Sequence, residues 1–146
     1  MKVVVTAVIE RADRRLLIGQ RRRGDTSPLK WEFPGGKMED GETPEAALAR
    51  ELTEELGATL EKCVEIARTR HKYPTMPEEL EIRFYAVSIK ESEVSPIEFE
   101  QIIWSLPKEL ADYDFLAANA QLIAQLATGR LKPAEILERA ANQPPK

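Results

Sequence analysis

The sequence contains almost none of the residues that form disulfides or soft-metal sites. Among its 146 residues, Cys63 is the only cysteine and His71 the only histidine. A single cysteine excludes an internal disulfide and is typical of a protein from a reducing compartment. The apolar surroundings of Cys63 favour a small buried hydrophobe over a nucleophile. One histidine cannot build a zinc site by itself, so we expect His71 to be an ordinary surface residue.

Long apolar runs and an excess of positive charge are also lacking. The run VVVTAVI near the N-terminus is too short for a signal peptide, and no stretch approaches the roughly 20 apolar residues of a membrane span. A net charge of −4 and a pI of about 5.2 exclude a general basic surface for wrapping a nucleic-acid duplex. We therefore expect a cytoplasmic protein, monomeric or homodimeric, that contacts neither membrane nor duplex. A small anionic substrate stays compatible with these numbers, because a bound cation can reverse the field of an acidic site.

What the sequence does contain is the composition of a globular chain. Hydrophobic residues make up 42% and charged residues 32% of the total. A chain of 146 residues is long enough to bury one core, and no repeat or linker divides it. We therefore predict a single domain over residues 1–146.

Alternating or β-branched apolar residues predict six strands. The run VVVTAVI is apolar almost throughout, as in a strand buried on both faces. A polar turn and the apolar segment LLIGQR follow it, an arrangement that suits a hairpin. Pro34-Gly35-Gly36 should break regular structure after the short third strand. The predicted strands span 3–9, 16–21, 31–33, 60–73, 80–89 and 97–106.

Capping residues predict a helix from Pro44 to Leu56. Thr43 is a good N-cap, Pro44 suits the first helical position, and Gly57 provides a C-terminal stop. Because strands and helices are mixed without strict alternation, the fold class is α+β, or mixed α/β, around a sheet. The remaining predicted helical segments are a short turn at PKEL, an amphipathic helix over 114–128 and a last helix over 132–143.

The segment RELTEELG crowds three carboxylates onto two turns of the predicted helix. At 100° per residue, Glu51, Glu54 and Glu55 fall within an arc of about 100°, beside the leucine stripe that should dock on the sheet. Like charges at this spacing repel, so either solvent screens them or a bound cation compensates them. The helix taken alone does not distinguish screening by solvent from compensation by a bound cation. Carboxylates partly withdrawn from water would select a hard cation, Mg²⁺ or Mn²⁺, rather than zinc.

The loop before this helix extends the pattern. Its two glycines allow the backbone to approach a ligand without interference from a Cβ atom. Gly36, Glu42 and the run from Arg50 to Gly57 match the pattern G-x5-E-x7-R-E-U-x-E-E-x-G-U, in which U is a bulky aliphatic residue. This stretch resembles the signature box of the Nudix hydrolases. The one departure in the box, residues 36–58, is Ala58, which is smaller than the usual aliphatic residue and cannot coordinate anything.

The resemblance implies a fold and a cofactor. The fold would be an α/β/α sandwich with a mixed central sheet and a catalytic loop and helix on one side. The reaction would be the hydrolysis of a nucleoside diphosphate linked to another group, with Mg²⁺ as the cofactor and Mn²⁺ as a substitute. The implied metal ligands are the Gly36 carbonyl and the carboxylates of Glu51, Glu54 and Glu55.

The resemblance also implies roles for residues around the ligands. Arg50 would orient the glutamates by ion pairing, and Glu42 would support the geometry of loop and helix. The carboxylate that takes a proton from the attacking water varies within the family, and the candidates here are Glu54, Glu98 and Glu100. Glu98 is also a candidate metal ligand. For Glu98 and Glu100 taken singly, exposed positions of a strand are the simpler interpretation.

Outside the box, WEFPGGKMEDGET narrows the resemblance to the MutT-type branch, which cleaves nucleoside triphosphates to monophosphate and pyrophosphate. Arg21 matches a position where such enzymes place an arginine near the nucleotide, whereas we interpret its neighbours Arg22 and Arg23 as solvent-facing cations. Phe33 would lie beside the base, and Lys37 would meet phosphate.

The segment YDFLAAN resembles the one that precedes the C-terminal helix of these enzymes. Asn119 falls where an Asn or Asp reads the edge of the base, and its amide can both donate and accept. The simpler alternative is a polar residue in the first turn of a helix. The resemblance covers roughly residues 1–128, and the C-terminal extension 130–146 lies beyond it.

Several functions therefore compete. The leading hypothesis is a Mg²⁺-dependent nucleoside triphosphate pyrophosphohydrolase that removes oxidised purine nucleotides such as 8-oxo-dGTP. A second hypothesis keeps the reaction but takes CTP or a modified pyrimidine triphosphate as the substrate. Two further hypotheses are not enzymatic: a nucleotide-binding regulator without catalysis, and a structural domain whose acidic helix is incidental. An intact set of acids in the box favours catalysis over a pure binding role.

Overall fold

Seven strands lie in two sheets in the computed structural model, which describes residues 1–90 and 94–142. The larger sheet has the order β4 (Gly35–Lys37), β1 (Lys2–Ile9), β6 (Leu80–Ile89), β5 (Leu60–His71), and the smaller one has the order β3 (Trp31–Glu32), β2 (Leu16–Gln20), β7 (Gln101–Ser105). The larger sheet is mixed, because β1 runs parallel to β6 and antiparallel to β4. All pairs in the smaller sheet are antiparallel. The predicted α+β class with a mixed sheet is confirmed.

Helices follow the strands mainly in the second half of the chain. The helical elements are α1 (Pro44–Leu56), α2 (Ala120–Ala127), α3 (Pro133–Ala141) and the 3₁₀ turns Pro107–Asp112 and Ala117–Asn119. Within the described ranges, none of these helices has the length and apolar character needed to cross a membrane.

The core has two apolar layers, one on each face of β1 and β2. Val5 of β1 and Leu17 of β2 belong to the layer that α1 covers with its leucines. Val8 of β1 and Leu16 of β2 belong to the opposite layer, which α2 covers. Full burial of one such side chain contributes about 1.5–3 kcal/mol. Strand β1 is therefore buried on both faces, as its sequence predicts, and helices lie on both sides of the strands.

The ends of α1 lie where the sequence predicts them. The Thr43 hydroxyl accepts a hydrogen bond from the Ala46 N–H at 3.2 Å, which caps the N-terminus. Gly57 adopts a left-handed conformation with φ 67°, and its N–H donates to the Thr53 carbonyl at 3.0 Å. Glycine takes this conformation without a Cβ penalty, so the helix stops there. These fixed ends set the rotation of α1 and hence the positions of its carboxylates.

The prediction of a hairpin between the first two strands is wrong. Strands β1 and β2 lie in different sheets and share a single bridge, between Glu10 and Leu16. The backbone of β1 pairs instead with β6 along its whole length on one side and with β4 over Val4, Val5 and Thr6 on the other. Of Pro34-Gly35-Gly36, which we expected to break regular structure, the two glycines belong to β4 (Gly35–Lys37) at the edge of the larger sheet.

Other boundaries differ in length. Strand β7 is shorter than the predicted 97–106, because residues 97–100 form a turn whose Phe99 ring is buried against Gly19. Residues 114–116 precede the helix instead of opening it, since the Leu116 N–H donates to the Trp31 carbonyl at 3.0 Å. The end of the predicted last helix at residue 143 lies outside the described residues.

The lone cysteine and histidine lie in β5. Cys63 is half-buried against the layer that α1 covers, and burial raises the pKa of its thiol, as suits a packing residue. His71 is half-buried, with its ring 4.3 Å from the Tyr73 ring, and not at the open surface that we expected.

Candidate active site

Arg50 of α1 is the centre of a hydrogen-bonded network that joins the helix to the loop before it. Its Nε and Nη2 donate to the two Glu42 oxygens at 2.8 and 2.9 Å, and Nη2 also donates to the Lys37 carbonyl at 3.1 Å. Its Nη1 donates to Glu51 at 2.9 Å and to Glu54 at 3.4 Å. The hydrogen bonds from Arg50 lower the pKa of Glu42 to about 2. One guanidinium therefore fixes the loop and two of the three helix carboxylates relative to each other.

Glu51 lies directly against Gly36. A Cβ atom on residue 36 would stand 2.4 Å from Glu51 Oε1, so glycine is needed to leave room for the carboxylate. Only 13% of the Glu51 side chain is exposed, and this burial raises its pKa although Arg50 acts in the opposite direction. The close approach brings together two residues that the sequence analysis selected as metal-binding.

Glu55 is the most deeply placed of the three carboxylates. The residue is 8% exposed, and its Oε1 accepts a hydrogen bond from the Gly35 N–H at 2.8 Å. Burial, together with the charges of Glu32 and Glu51 and against the effect of the Gly35 bond, raises the pKa of Glu55 to about 9. Without a cation the carboxyl group is therefore protonated at neutral pH, whereas a bound dication would favour its charged form.

Glu54 completes the helix cluster and faces solvent, with 49% of its side chain exposed. In the part of the chain that the structure describes, no three His, Cys, Asp or Glu side chains already converge as a metal site. Arg50 and the Gly35 N–H hold oxygens of the cluster instead. The donor set nevertheless consists of oxygens only and has more acids than Arg50 can neutralise. Its chemistry fits a hard divalent cation and does not fit zinc.

Of the two candidate bases beyond the helix, the structure brings Glu98 to the cluster and not Glu100. The Glu98 N–H donates to the Glu55 carbonyl at 3.3 Å. The pKa values of Glu51 and Glu55 are raised mainly by burial, and the negative charge of Glu98 acts in the same direction. Glu100 instead forms an ion pair with Arg23, at 3.7 Å, on the exposed surface.

A cavity of about 490 Å³ lies beside the acid cluster and reaches Gly36 and Glu55. A volume of this size with a mixed apolar and polar wall suits a small organic ligand. The four residues that we predicted to contact substrate come from separate elements, and all of them line this cavity: Arg21, Phe33, Lys37 and Asn119.

Arg21 is held in place at the cavity wall. Its Nη1 lies 3.2 Å from both Glu32 oxygens, its Nε donates to the Thr26 carbonyl at 2.7 Å, and its Nη2 donates to the Thr26 hydroxyl at 3.0 Å. The arginine therefore ties the loop after β2 to β3. These bonds use most of the N–H donors of the Arg21 guanidinium, and Glu32 pairs with its charge.

Glu32 lines the same cavity, although it was not among the substrate contacts that we predicted from the sequence. Burial raises its pKa, while the Arg21 charge and hydrogen bonds act in the opposite direction. The signal in the sequence was an acidic residue between Trp31 and Phe33, in a strand otherwise made of aromatic side chains. A buried carboxylate at a cavity wall can accept hydrogen bonds from a ligand's amino or imino groups.

The remaining predicted contacts differ in exposure. Asn119 is buried in the 3₁₀ turn before α2, and its amide nitrogen donates to the Leu116 carbonyl at 3.4 Å. Phe33 is buried as well, with its ring 5.5 Å from the Phe115 ring, so it belongs to the core and to the cavity wall at once. Lys37 is exposed at the cavity edge nearest the acidic helix.

Comparison with known proteins gives concordant matches. The NUDIX domain family model matches residues 1–126. A Haemophilus influenzae protein named 8-oxo-dGTP diphosphatase is 34% identical over 123 residues, which cover 84% of this chain and 89% of that protein. An Escherichia coli K12 protein named CTP pyrophosphohydrolase is 32% identical over 133 residues, which cover 90% of this chain and 96% of that protein. A solved structure from work on MutT of Aliivibrio salmonicida and Vibrio cholerae superposes with a TM-score of 0.73 at 28% sequence identity. The superposition covers 88% of this chain and 98% of that one.

Proposed function

The chain belongs to the MutT-type Nudix hydrolases, enzymes that act on phosphorus anhydrides, and we propose that it hydrolyses nucleoside triphosphates to a nucleoside monophosphate and pyrophosphate. The observation that carries this proposal is the shared cavity. Four residues selected from the sequence as substrate contacts line one space, and that space reaches Gly36 and Glu55 of the acid cluster. A nucleotide bound there would have its base near Asn119 and its phosphates near the acidic helix.

Nudix hydrolases generally require a divalent metal ion, and for this chain we propose Mg²⁺, with Mn²⁺ as a substitute. When bound, the ion would neutralise the polyphosphate charge and lower the pKa of the attacking water. An all-oxygen donor set matches these hard cations. The residues that would hold the ion are the Gly36 carbonyl and the carboxylates of Glu51, Glu54, Glu55 and Glu98.

The chain's own residues would orient the metal ligands, remove the proton from water and contact the phosphates. Arg50 orients Glu51 and Glu54 through one Nη1 atom, while its Nε and Nη2 hold Glu42 of the preceding loop. A carboxylate at the site removes the proton from water, and Glu54 and Glu98 are the candidates because both are exposed. Lys37, at the cavity edge, would meet the phosphates as a point charge.

For the base we propose an oxidised purine, as in 8-oxo-dGTP, which would make the enzyme a cleanser of the nucleotide pool. The Asn119 amide can donate and accept toward a purine edge, and the name of the Haemophilus influenzae relative supports this choice. CTP is the second candidate, because the Glu32 carboxylate could accept from the cytosine amino group and the CTP pyrophosphohydrolase relative is similar over 90% of the chain. The single cysteine supports a cytoplasmic location for either reaction.

Product analysis over a panel of triphosphates tests reaction and substrate together. We expect pyrophosphate and a monophosphate from 8-oxo-dGTP in the presence of Mg²⁺, and none in EDTA. Faster turnover of CTP would replace the purine assignment while keeping the reaction. A clear preference for nucleoside diphosphate sugars or dinucleoside polyphosphates would overturn the triphosphate assignment.

A pair of variants separates catalysis from mere nucleotide binding. Glu54→Gln should abolish pyrophosphate release, whereas Glu45→Gln removes the same charge from an exposed position in the first turn of α1 and should leave the rate intact. A regulator would bind nucleotide and release no product in the unaltered protein. Unchanged activity in Glu54→Gln would exclude Glu54 both as a metal ligand and as the general base.

A further inference from the structure

The segment that carries Glu98 is tied to two elements of the fold by backbone hydrogen bonds. The Ser95 N–H donates to the Leu56 carbonyl at the end of α1, at 3.0 Å. The Glu100 N–H donates to the Gln20 carbonyl at the end of β2, at 2.8 Å. The two anchors leave the peptide between them to be fixed by other contacts.

Between these anchors one charged side chain holds the segment. Arg22 Nη2 donates to the carbonyl of Ile97, the residue directly before Glu98. The Phe99 ring after Glu98 is buried, whereas Ile97 before Glu98 is 48% exposed, so burial contributes little to fixing the N-terminal side of Glu98. The backbone of Arg22 is itself fixed, because its N–H donates to Asp25 Oδ2 at 3.2 Å. Among the described residues Arg22 has no acidic partner that would compete for its guanidinium.

We propose that Arg22 is a positioning residue, which holds the Ile97 carbonyl and thereby keeps Glu98 beside Glu51 and Glu55. The inference rests on the proposed function, in which Glu98 is a metal ligand or the general base. The bond from the Glu98 N–H to the Glu55 carbonyl is long, at 3.3 Å, and does not fix the turn alone. The buried Phe99 ring fixes the residue after Glu98, and Arg22 fixes the carbonyl of the residue before it. A displacement of about 1 Å at a reacting group can cost roughly 100-fold in rate.

Arg22 is exposed, as its sequence predicts, and it differs from its neighbour Arg23 in the hydrogen bond that it donates to the Ile97 carbonyl. The Arg23 side chain is 80% exposed and approaches Glu100 only at 3.7 Å. Exposed ion pairs of this kind contribute little to stability. Arg23→Ala is thus a matched control, with the same residue type, the same loop and the same charge change.

The first measurement is metal binding to the protein without nucleotide. We expect Arg22→Ala to weaken Mn²⁺ binding, followed by electron paramagnetic resonance of the free ion, and to lower kcat, each by about tenfold, as is usual when a group that orients a ligand is lost. The KM for nucleotide and the thermal unfolding temperature in EDTA should stay close to those of the unaltered protein. Arg22→Lys should recover part of the loss, and Arg23→Ala should show none.

A double-mutant cycle with Glu98→Gln distinguishes positioning of Glu98 from a general effect on the loop. If Arg22 acts through Glu98, then Arg22→Ala should cost nothing further in the Glu98→Gln background. Additive losses would overturn the inference, and so would an Arg22→Ala variant with unaltered Mn²⁺ binding and kcat while Glu98→Gln is impaired. A fully active Glu98→Gln with full Mn²⁺ affinity would instead remove the proposed role of Glu98, and this inference would fall with it while the helix cluster stands.

Discussion

The Glu51 carboxylate occupies the space that a side chain on residue 36 would need, since a Cβ there would stand 2.4 Å from both its carboxyl carbon and its Oε1. The contact involves the far end of a flexible side chain, so Gly36→Ala can be accommodated by turning Glu51 away. We expect the variant to fold, with an unfolding free energy within about 1 kcal/mol of the unaltered protein, but to lose at least about tenfold in kcat because Glu51 leaves its position. Steady-state kinetics and denaturant unfolding in EDTA measure the two effects.

Gly35→Ala is the matched control for that variant, with the opposite outcome. A Cβ on residue 35 would stand 2.1 Å from the Val5 carbonyl oxygen, which is backbone and cannot turn away. The pairing of β4 with β1 should therefore be disrupted, at a cost of more than about 2 kcal/mol in unfolding free energy. A fully active Gly36→Ala variant, or a Gly35→Ala variant as stable as the unaltered protein, would contradict this division between site and fold.

The buried Glu55 predicts an unusual dependence of stability on pH in the absence of metal. Its pKa is raised to about 9 in the folded protein, against 4.5 as the ordinary value. Between these values the folded state holds a proton that the unfolded state has released, so the unfolding free energy should fall as pH rises from about 5 to about 9, by at most about 1.4 kcal/mol per pH unit. Thermal unfolding in EDTA across this range measures the fall.

The Glu55→Gln variant isolates this contribution. Glutamine has the shape of the protonated acid, and its carbonyl can accept the hydrogen bond from the Gly35 N–H that Glu55 accepts now at 2.8 Å. We expect a shallower pH dependence in EDTA, a metal-free stability at pH 8 at least equal to that of the unaltered protein, and weaker Mg²⁺-dependent activity. Parallel stability profiles for the two proteins would show that Glu55 is charged in the metal-free fold.

Glu42 predicts the opposite pH dependence, at the acid end. Arg50 lowers its pKa to about 2 through two hydrogen bonds, at 2.8 and 2.9 Å, from an ordinary value of 4.5. As the pH falls, Glu42 takes up a proton in the unfolded state before it does so in the folded state. The unfolding free energy that this carboxylate contributes above pH 4.5 should therefore be lost as the pH falls toward 2. Glu42→Gln should flatten this acid limb and also lower kcat, because it loosens Arg50. Glu39→Gln is the control, since Glu39 approaches Arg50 only at 3.8 Å and is exposed.

Local chemistry explains which parts of the fold and site the sequence could predict. The helix from Pro44 to Leu56 is bounded by a cap at Thr43 and a left-handed glycine at 57, and both signals lie within a few residues of the ends they set. The acid cluster follows from that helix, because its rotation fixes which carboxylates share a face. The spacing of the box also predicts that the loop before the helix belongs to the site. The structure gives a steric reason for glycine at position 36, because a side chain there would collide with Glu51.

What the sequence could not show depends on contacts between distant segments. The partner of β1 is β6, with Lys2 beside Leu80, and no local signal indicates a parallel pair of this separation. The hairpin prediction failed for that reason. Glu32 was missed because the cavity that it lines is formed by segments far apart along the chain, such as those that carry Glu32 and Asn119. Arg22 is exposed, as its sequence predicts, but nothing in its neighbourhood along the chain points to the Ile97 carbonyl to which it donates.

Asn119 provides the sharpest test of base recognition. The residue is buried at the cavity wall, and the one hydrogen bond that its side chain makes within the described residues is the weak one to the Leu116 carbonyl at 3.4 Å, which leaves its amide oxygen for a ligand. Asn119→Ala should lower kcat/KM for the preferred triphosphate by about 10- to 100-fold, the usual cost of an unpaired polar edge, and lower it less for triphosphates with other bases. The ratio of kcat/KM between 8-oxo-dGTP and CTP is the quantity to measure. Gln121→Ala, at an exposed position two residues along the chain and outside this cavity, should leave the ratio unchanged. An equal loss for every base in Asn119→Ala would assign Asn119 to the packing of the cavity wall and leave the choice of base to Glu32 and its neighbours.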